Sequence, residues 1–204
     1  MDDALEKMDE RQKTELYAAI GKFAVEFEML CSGMRSVIMT ILAKEGLSND
    51  SVMEILLADQ TAGPLQSLVR SLAAETEKLS EKDQKILGTI MNQVQKLTES
   101  RNDVLHATWL VGWVAFEDEG LSKALGTRLK RNKKGVATQR PIFKAADFDE
   151  LASRAEQLAR ILGGVTNCFS FGEPLEKAFV LDDQGRITIT PRVPARIAKP
   201  PAEK

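Results

Sequence analysis

Histidine and cysteine are scarce in this sequence, which holds one histidine and two cysteines among 204 residues. A protein zinc site takes three or four ligands, and di-iron helical bundles need more than one histidine. His106 therefore builds neither kind of site. Cys31 and Cys168 are far apart and lie within apolar helical patterns, which favours two buried thiols over a disulfide. We expect the protein to use no metal and no other cofactor.

Long apolar runs and an excess of charge of either sign are also missing. No apolar stretch approaches the ~18 residues that cross a bilayer. The acidic start, MDDALEKMDERQK, lacks the hydrophobic region of a signal peptide. We therefore expect a cytoplasmic protein with no membrane partner. The net charge of −2 gives no overall attraction to nucleic acid, so any such attraction has to be local.

Proline is absent between Glu10 and Glu45, where the apolar residues recur at steps of three, four and seven. This pattern predicts one long amphipathic helix. Its apolar stripe consists of Leu16, Phe23, Phe27, Leu30, Met34, Val37 and Ile41. Similar patterns predict further helices over 51–60, 65–79, 80–108 and 148–171. The expected caps are Gly46 at the end of the first helix, Asn49 or Asp50 before the second, Ser80 before the fourth and Asp147 before the fifth.

The pattern changes between the fourth and fifth helices. The run WLVGWVAF is rich in aromatic and β-branched residues, which favours a strand. A turn at Asn132–Gly135 predicts a meander of two or three strands. The expected fold class is therefore mainly α, a four- to five-helix antiparallel bundle with a small β insertion at about 109–143. We expect one domain over 1–181, followed over 182–204 by a short hairpin and a basic, proline-rich flexible tail.

The stretch SRNDVLHATW ends the fourth helix and places Arg101 where the apolar stripe requires a core residue. A carboxylate from a neighbouring helix commonly supports such an arginine, and Glu26 and Glu28 are the candidates. His106 lies about 140° around the helix from Arg101, whereas Asn102 shares a face with His106. For Arg101 and His106 to act on one phosphate, the helix must loosen, or a second copy must contribute across a two-fold axis. The second arrangement predicts a homodimer.

The stretch RNDVLH, from Arg101 to His106, resembles the Arg-x4–6-His motif of the HEPN superfamily of helical proteins, which bind nucleotides and cleave RNA. In that family a polar residue commonly follows the arginine, as Asn102 does here, and the motif lies near the end of a late bundle helix. The resemblance covers about 10–108 and 147–170, and the β segment departs from the minimal bundle. It implies a metal-independent endoribonuclease, of the kind found among bacterial toxins and phage-defence proteins.

The side chains of this motif suit such a reaction. RNA carries its own nucleophile, the 2′-hydroxyl, so the enzyme has to move a proton and stabilise negative charge on a phosphate. His106 would be the general acid or base, and Arg101 would bind phosphate oxygens. Asn102 would orient the imidazole or donate to phosphate. Asp103, three residues before His106, either supports the imidazole or forms an ion pair on the helix surface.

A basic run in the β insertion is a candidate RNA-binding surface, because residues 123–140 contain no acidic side chain. Its candidate residues are Arg128, Lys130, Arg131, Lys133 and Lys134. A solvated turn explains the same charges equally well. Trp109 and Trp113 either stack on bases or fill the seam between hairpin and bundle, and the second role is the commoner one.

A second function stays open beside the ribonuclease. The same bundle is compatible with a non-catalytic HEPN-like module that dimerises and binds a nucleotide, RNA or protein, with Arg101 held in an ion pair. A protein partner such as an antitoxin is compatible with either function. The two differ in where Arg101 and His106 point: the enzyme needs both side chains in a shared groove and without partners inside the fold.

Overall fold

The computed structural model describes residues 2–111, 122–132, 135–182 and 184–190, with side chains from Glu10 onward except those of 130–135. The described residues are 70% helical, with six helices and a small antiparallel sheet between the fourth and fifth helices. This confirms the mainly α prediction. The helices are α1 (Asp2–Lys44), α2 (Asp50–Leu57), α3 (Ala62–Thr76), α4 (Glu81–Leu105), α5 (Ala145–Phe171) and α6 (Leu175–Ala178). The strands are β1 (Thr108–Val111), β2 (Lys123–Asn132), β3 (Gly135–Gln139), β4 (Ile142–Lys144), β5 (Phe179–Leu181) and β6 (Ile187–Ile189).

Helix α1 supplies the central apolar stripe of the core. All seven residues of the predicted stripe, from Leu16 to Ile41, are buried. Each such side chain contributes roughly 1.5–3 kcal/mol when it leaves water, so the stripe alone holds α1 against its neighbours. The helix ends as predicted near Gly46, which takes a φ of 97°, a left-handed conformation that glycine adopts without a steric cost.

Two of the predicted N-caps are confirmed. Asn49 precedes α2, and its side-chain oxygen accepts the Val52 N–H at 3.2 Å. Ser80 precedes α4, and its Oγ accepts the Asp83 N–H at 3.1 Å. In both helices the short polar side chain satisfies an N–H group that has no partner within the helix.

The N-cap predicted for α5 is wrong. The helix begins at Ala145 with Lys144 as its N-cap, so Asp147 lies inside the first turn. From there its Oδ2 accepts the Lys144 N–H at 2.7 Å. An acidic residue in the first turn and one at the N-cap both bind free N–H groups, so the sequence signal of the two positions is similar.

Helices α1 and α5 form the most extensive helix pair and run in the same direction. Lys22 of α1 pairs with Asp149 near the start of α5, at 3.0 Å. Further along both helices, Gly33 faces Leu162, and a Cβ on Gly33 would lie 3.2 Å from the Cβ of Leu162. The glycine therefore permits the close approach, and the parallel run of this pair refines the antiparallel bundle expected from the sequence.

The sheet has four strands among the described residues, one more than the meander predicted from the sequence. Strand β2 pairs antiparallel with β1, β3 and β4. Asn132 of β2 pairs with Gly135 of β3, the two residues that bound the predicted turn, and residues 133–134 lie outside the described residues. The chain leaves its pairing with β2 between β3 and β4, at Pro141, which has no backbone N–H to donate. Its carbonyl instead accepts the Gly126 N–H at 2.8 Å.

Trp109 of β1 fills the seam between the sheet and the bundle. Its ring lies 5.5 Å from that of Phe143 and 5.3 Å from that of Phe148, between ring centroids. Its Nε1 donates to the Val104 carbonyl of α4 at 2.7 Å. The seam role is therefore confirmed for Trp109, and the contact ties the sheet to the end of α4. Trp113 lies outside the described residues.

The segment after α5 packs onto the same core. The β5–β6 hairpin, expected from the sequence, buries Phe179 and Ile187. The domain boundary expected at 181 falls between its two strands. Helix α6 was not expected; the buried Asp83 of α4 fixes it by accepting the Glu176 N–H at 2.9 Å. No described helix is both long and apolar enough to cross a membrane, and the basic tail at 191–204 lies outside the described residues.

Candidate phosphate-binding site at the end of helix α4

The motif predicted from the sequence occupies the last turn of α4. Helical geometry ends at Leu105, and His106 is the C-cap, with its N–H donating to the Asn102 carbonyl at 3.2 Å. Arg101 lies one turn earlier and is half-buried against α1. The apolar stripe of α4 ends at Val104, which is buried and anchors the turn.

The guanidinium of Arg101 is held without a carboxylate. Its Cζ lies 5.6 Å from the centroid of the Phe27 ring, a cation–π distance. Its Nη1 donates to the Oδ1 of Asn102 at 3.3 Å. Its Nε is buried and has no hydrogen-bond partner. The support expected from Glu26 or Glu28 does not take the form of an ion pair with Arg101 in the part of the chain that the structure describes.

A cavity of about 470 Å³ adjoins this guanidinium, between α1, α4 and the connection from α2 to α3. Helix α4 contributes Gln95, Thr98, Arg101 and Asn102 to its wall. Arg35 of α1 also lines it, and donates from Nη2 to the Gln60 carbonyl at 3.2 Å. The site therefore brings two arginines and the motif asparagine to one cavity.

His106 does not line this cavity. Its side chain is exposed, one turn beyond Asn102 on the same side of α4. The prediction that Arg101 and His106 diverge within one chain agrees with this placement. Asn102 lies between them, since its side chain accepts from Arg101 and its carbonyl accepts the His106 N–H.

Asp103 points to the other side of α4, where it forms an ion pair with Arg128 of β2. The Arg128 side chain is 18% exposed, so the pair is partly shielded from water and ties the sheet to the motif helix. Of the two roles considered for Asp103, the structure thus places it in an ion pair. Arg128 is engaged with that carboxylate rather than standing free for a phosphate.

The remaining candidates of the basic run are only partly described. Lys130 and Arg131 lie on β2 at positions paired with Ala137 and Val136, but their side chains fall outside the described residues. Lys133 and Lys134 lie outside them altogether.

Cys31 also lines the cavity, and its thiol is unreactive at neutral pH. The pKa of the Cys31 thiol is raised to about 11, chiefly by burial and also by the nearby Glu28 carboxylate, while Arg35 and Arg101 act in the opposite direction. The thiol is therefore protonated at neutral pH and does not serve as a nucleophile. Cys31 and Cys168 are buried thiols and form no disulfide with each other, as the sequence predicted.

We expect iodoacetamide at pH 8 to label Cys31 at least roughly a hundredfold more slowly in the native protein than in urea, because so little thiolate is present. Peptide mass spectrometry separates its labelling from that of Cys168. Equal rates in the two states would contradict the raised pKa.

Sequence reasoning missed Arg35 and the α2–α3 connection. Arg35 directly follows Met34 of the buried stripe, but nothing in the spacing links it to Arg101 on another helix. In the part of the chain that the structure describes, no three His, Cys, Asp or Glu side chains come together as a metal site. A scan against protein-family models found no match, and neither did searches of curated proteins and of solved structures.

Proposed function

We propose that this protein is a metal-independent endoribonuclease of the HEPN type that acts as a homodimer. The observation that carries the proposal is the environment of the Arg101 guanidinium. Its half-buried guanidinium has no carboxylate partner among the described residues and has a buried, unpartnered Nε beside an open cavity. A cation withdrawn from water in this way favours an anionic ligand, and a phosphodiester fits its planar donors.

In the proposed reaction the 2′-oxygen of RNA forms a bond to phosphorus while the bond to the 5′-oxygen breaks. His106 takes the proton of the 2′-hydroxyl as general base while water protonates the leaving 5′-oxygen, or it protonates the 5′-oxygen as general acid while water takes the proton of the 2′-hydroxyl. Arg101 stabilises the charge that develops on the phosphate oxygens. Asn102 keeps the Arg101 guanidinium in place through its Oδ1. The products are a 2′,3′-cyclic phosphate and a 5′-hydroxyl.

A second copy of the chain completes the site in this proposal. Arg101 and Asn102 share a cavity that His106 does not line, so one chain places the phosphate-binding group and the proton carrier apart. A two-fold axis near the end of α4 brings the exposed His106 of each chain to the Arg101 of the other. Two-fold dimers are the commonest oligomers, and their symmetry forms two such sites at once.

The first test is cleavage of RNA by the purified protein in EDTA. We expect cleavage with 2′,3′-cyclic phosphate ends, and no cleavage of DNA of the same sequence, because DNA lacks the nucleophile. Gel electrophoresis and end-group analysis by mass spectrometry provide the measurement. Cleavage of DNA, or activity that EDTA abolishes, would contradict the proposed chemistry.

A second candidate is a non-catalytic module that binds RNA, a nucleotide or a protein through the same cavity. The placement of His106 outside the cavity favours it, since binding needs only the arginines. The two candidates differ in one result: the module binds RNA and leaves it intact at every pH between 6 and 8. An antitoxin or another protein partner is compatible with both, as is a role in bacterial toxin or phage-defence systems.

A further inference from the structure

We propose that the cavity beside Arg101 holds a second phosphate of the RNA strand, with Arg35 as the residue that binds it. The inference rests on the proposed function for the identity of the strand, and on different residues for its evidence. Arg35 lies on α1, outside the motif, and meets Arg101 only because α1 and α4 pack together.

The donors of Arg35 are largely unused. A guanidinium has five N–H groups, and Arg35 donates one of them to the Gln60 carbonyl. That bond holds the side chain against the α2–α3 connection and leaves the other donors without a partner among the described residues. Arg35 forms no ion pair there either. Its side chain is therefore oriented by the protein but not neutralised by it.

Arg35 and Arg101 face the same cavity. Both line its volume of about 470 Å³, and both act electrostatically on the Cys31 thiol, which also lines it. Two half-buried cations in one cavity repel each other unless an anion joins them. One phosphate bound to Arg101 and the next phosphate of the same strand bound to Arg35 relieve that repulsion.

The acidic residues at the cavity do not replace such an anion. Glu28 and Asp59 line it, but both side chains are exposed and neither pairs with Arg35 or Arg101 in the described part of the chain. Water solvates these carboxylates, whereas the arginines are half-buried and keep unused donors. Helix α3 also begins at the cavity wall, and the partial positive charge there adds to that of the two guanidinium groups.

A strand with several phosphates, rather than a mononucleotide, is the ligand this arrangement favours. Arg101 is committed to the phosphate that reacts, so a cation on a different helix has a use only if a second phosphate is present. Each phosphate that the protein neutralises on a single strand is also measurable. It adds about 0.7 to the magnitude of the slope of the logarithm of the binding constant against the logarithm of the salt concentration.

The test measures binding of a short 2′-O-methyl RNA, which the proposed reaction cannot cleave, by fluorescence anisotropy over a range of salt. We expect Arg35→Met to weaken binding at low salt about tenfold and to lower the salt slope by about 0.7. Arg35→Lys keeps the charge and should restore the slope. Arg160→Met removes a similar charge from an exposed site on α5 and should leave both values unchanged.

Each other outcome overturns the inference in a distinct way. An unchanged slope in a folded Arg35→Met protein removes Arg35 from the strand's path. An unchanged slope with loss of the dimer in light scattering assigns Arg35 to the interface between copies. Competition by AMP as strong as by the oligonucleotide assigns the cavity to a mononucleotide.

The inference and the proposed function fail separately. If the wild-type protein leaves RNA intact but the salt slope of its RNA binding depends on Arg35, the second phosphate site is supported and the nuclease proposal is contradicted. If the protein cleaves RNA and the slope does not depend on Arg35, the nuclease stands and this site falls.

Discussion

Replacing His106 with alanine is expected to lower the rate of RNA cleavage by roughly 10²–10⁴-fold, the range that a general acid or base contributes. The chain has no second histidine to take over the proton transfer. The imidazole is exposed at the C-cap of α4. Its removal therefore leaves the core intact. Single-turnover cleavage of a labelled RNA in EDTA measures the change.

The controls separate loss of chemistry from loss of structure. His106→Ala should retain the helical content and melting temperature of the wild type, and it should bind RNA within a factor of about two, because Arg101 and Arg35 are untouched. Thr108→Ala, at an exposed position two residues further along, should cleave normally. In cells, any growth arrest on expression should disappear with His106→Ala. Full activity in that variant would remove His106 from the mechanism.

Replacing Arg101 with methionine is expected to lower the rate of RNA cleavage by roughly 10²–10³-fold, because no guanidinium then stabilises the charge that develops on the phosphate. Methionine keeps much of the aliphatic packing against the Phe27 ring. Arg160→Met, an exposed arginine on α5, is the matched control and should retain activity.

Mixing the two inactive variants tests whether the site spans two chains. In a dimer of one Arg101→Met chain and one His106→Ala chain, one site loses both residues and the other keeps both. After subunits exchange at random, half of the dimers are mixed and each has one intact site. We therefore expect about one quarter of wild-type activity to return.

Two results would contradict the shared site. If Arg101 and His106 act from the same chain, every chain in the mixture lacks one of them and activity stays at background. A protein that stays monomeric in light scattering at assay concentrations, yet cleaves RNA, would contradict it as well. A monomer that binds RNA without cleaving it would favour the non-catalytic module.

Local signals in the sequence predicted most of the helical framework. The stripe from Leu16 to Ile41 is buried because its spacing follows the helical period, whatever the neighbouring helices do. Asn49 and Ser80 cap α2 and α4 because the bond of each spans only three residues. The misplaced cap at Asp147 and the strand missed at Ile142–Lys144 mark the limit of such signals. The residues there fit more than one local structure.

Pairings between distant residues required the tertiary structure. The sequence offered Asp103 a choice between supporting His106 and forming an ion pair, and the approach of β2 decided it by bringing Arg128 to the carboxylate. Similarly, Glu26 and Glu28 are adjacent to the residue that contacts Arg101, but that residue is Phe27, and its ring takes the place expected for a carboxylate.

By itself, then, the sequence determined helices α1 to α5, their apolar faces and the stretch from Arg101 to His106 at the end of α4, because each depends on residues within a few turns. The packing of α1 against α4 decided that Arg35 joins Arg101 at one cavity. This outcome depends on how helices distant in the chain approach each other, which no local spacing specifies.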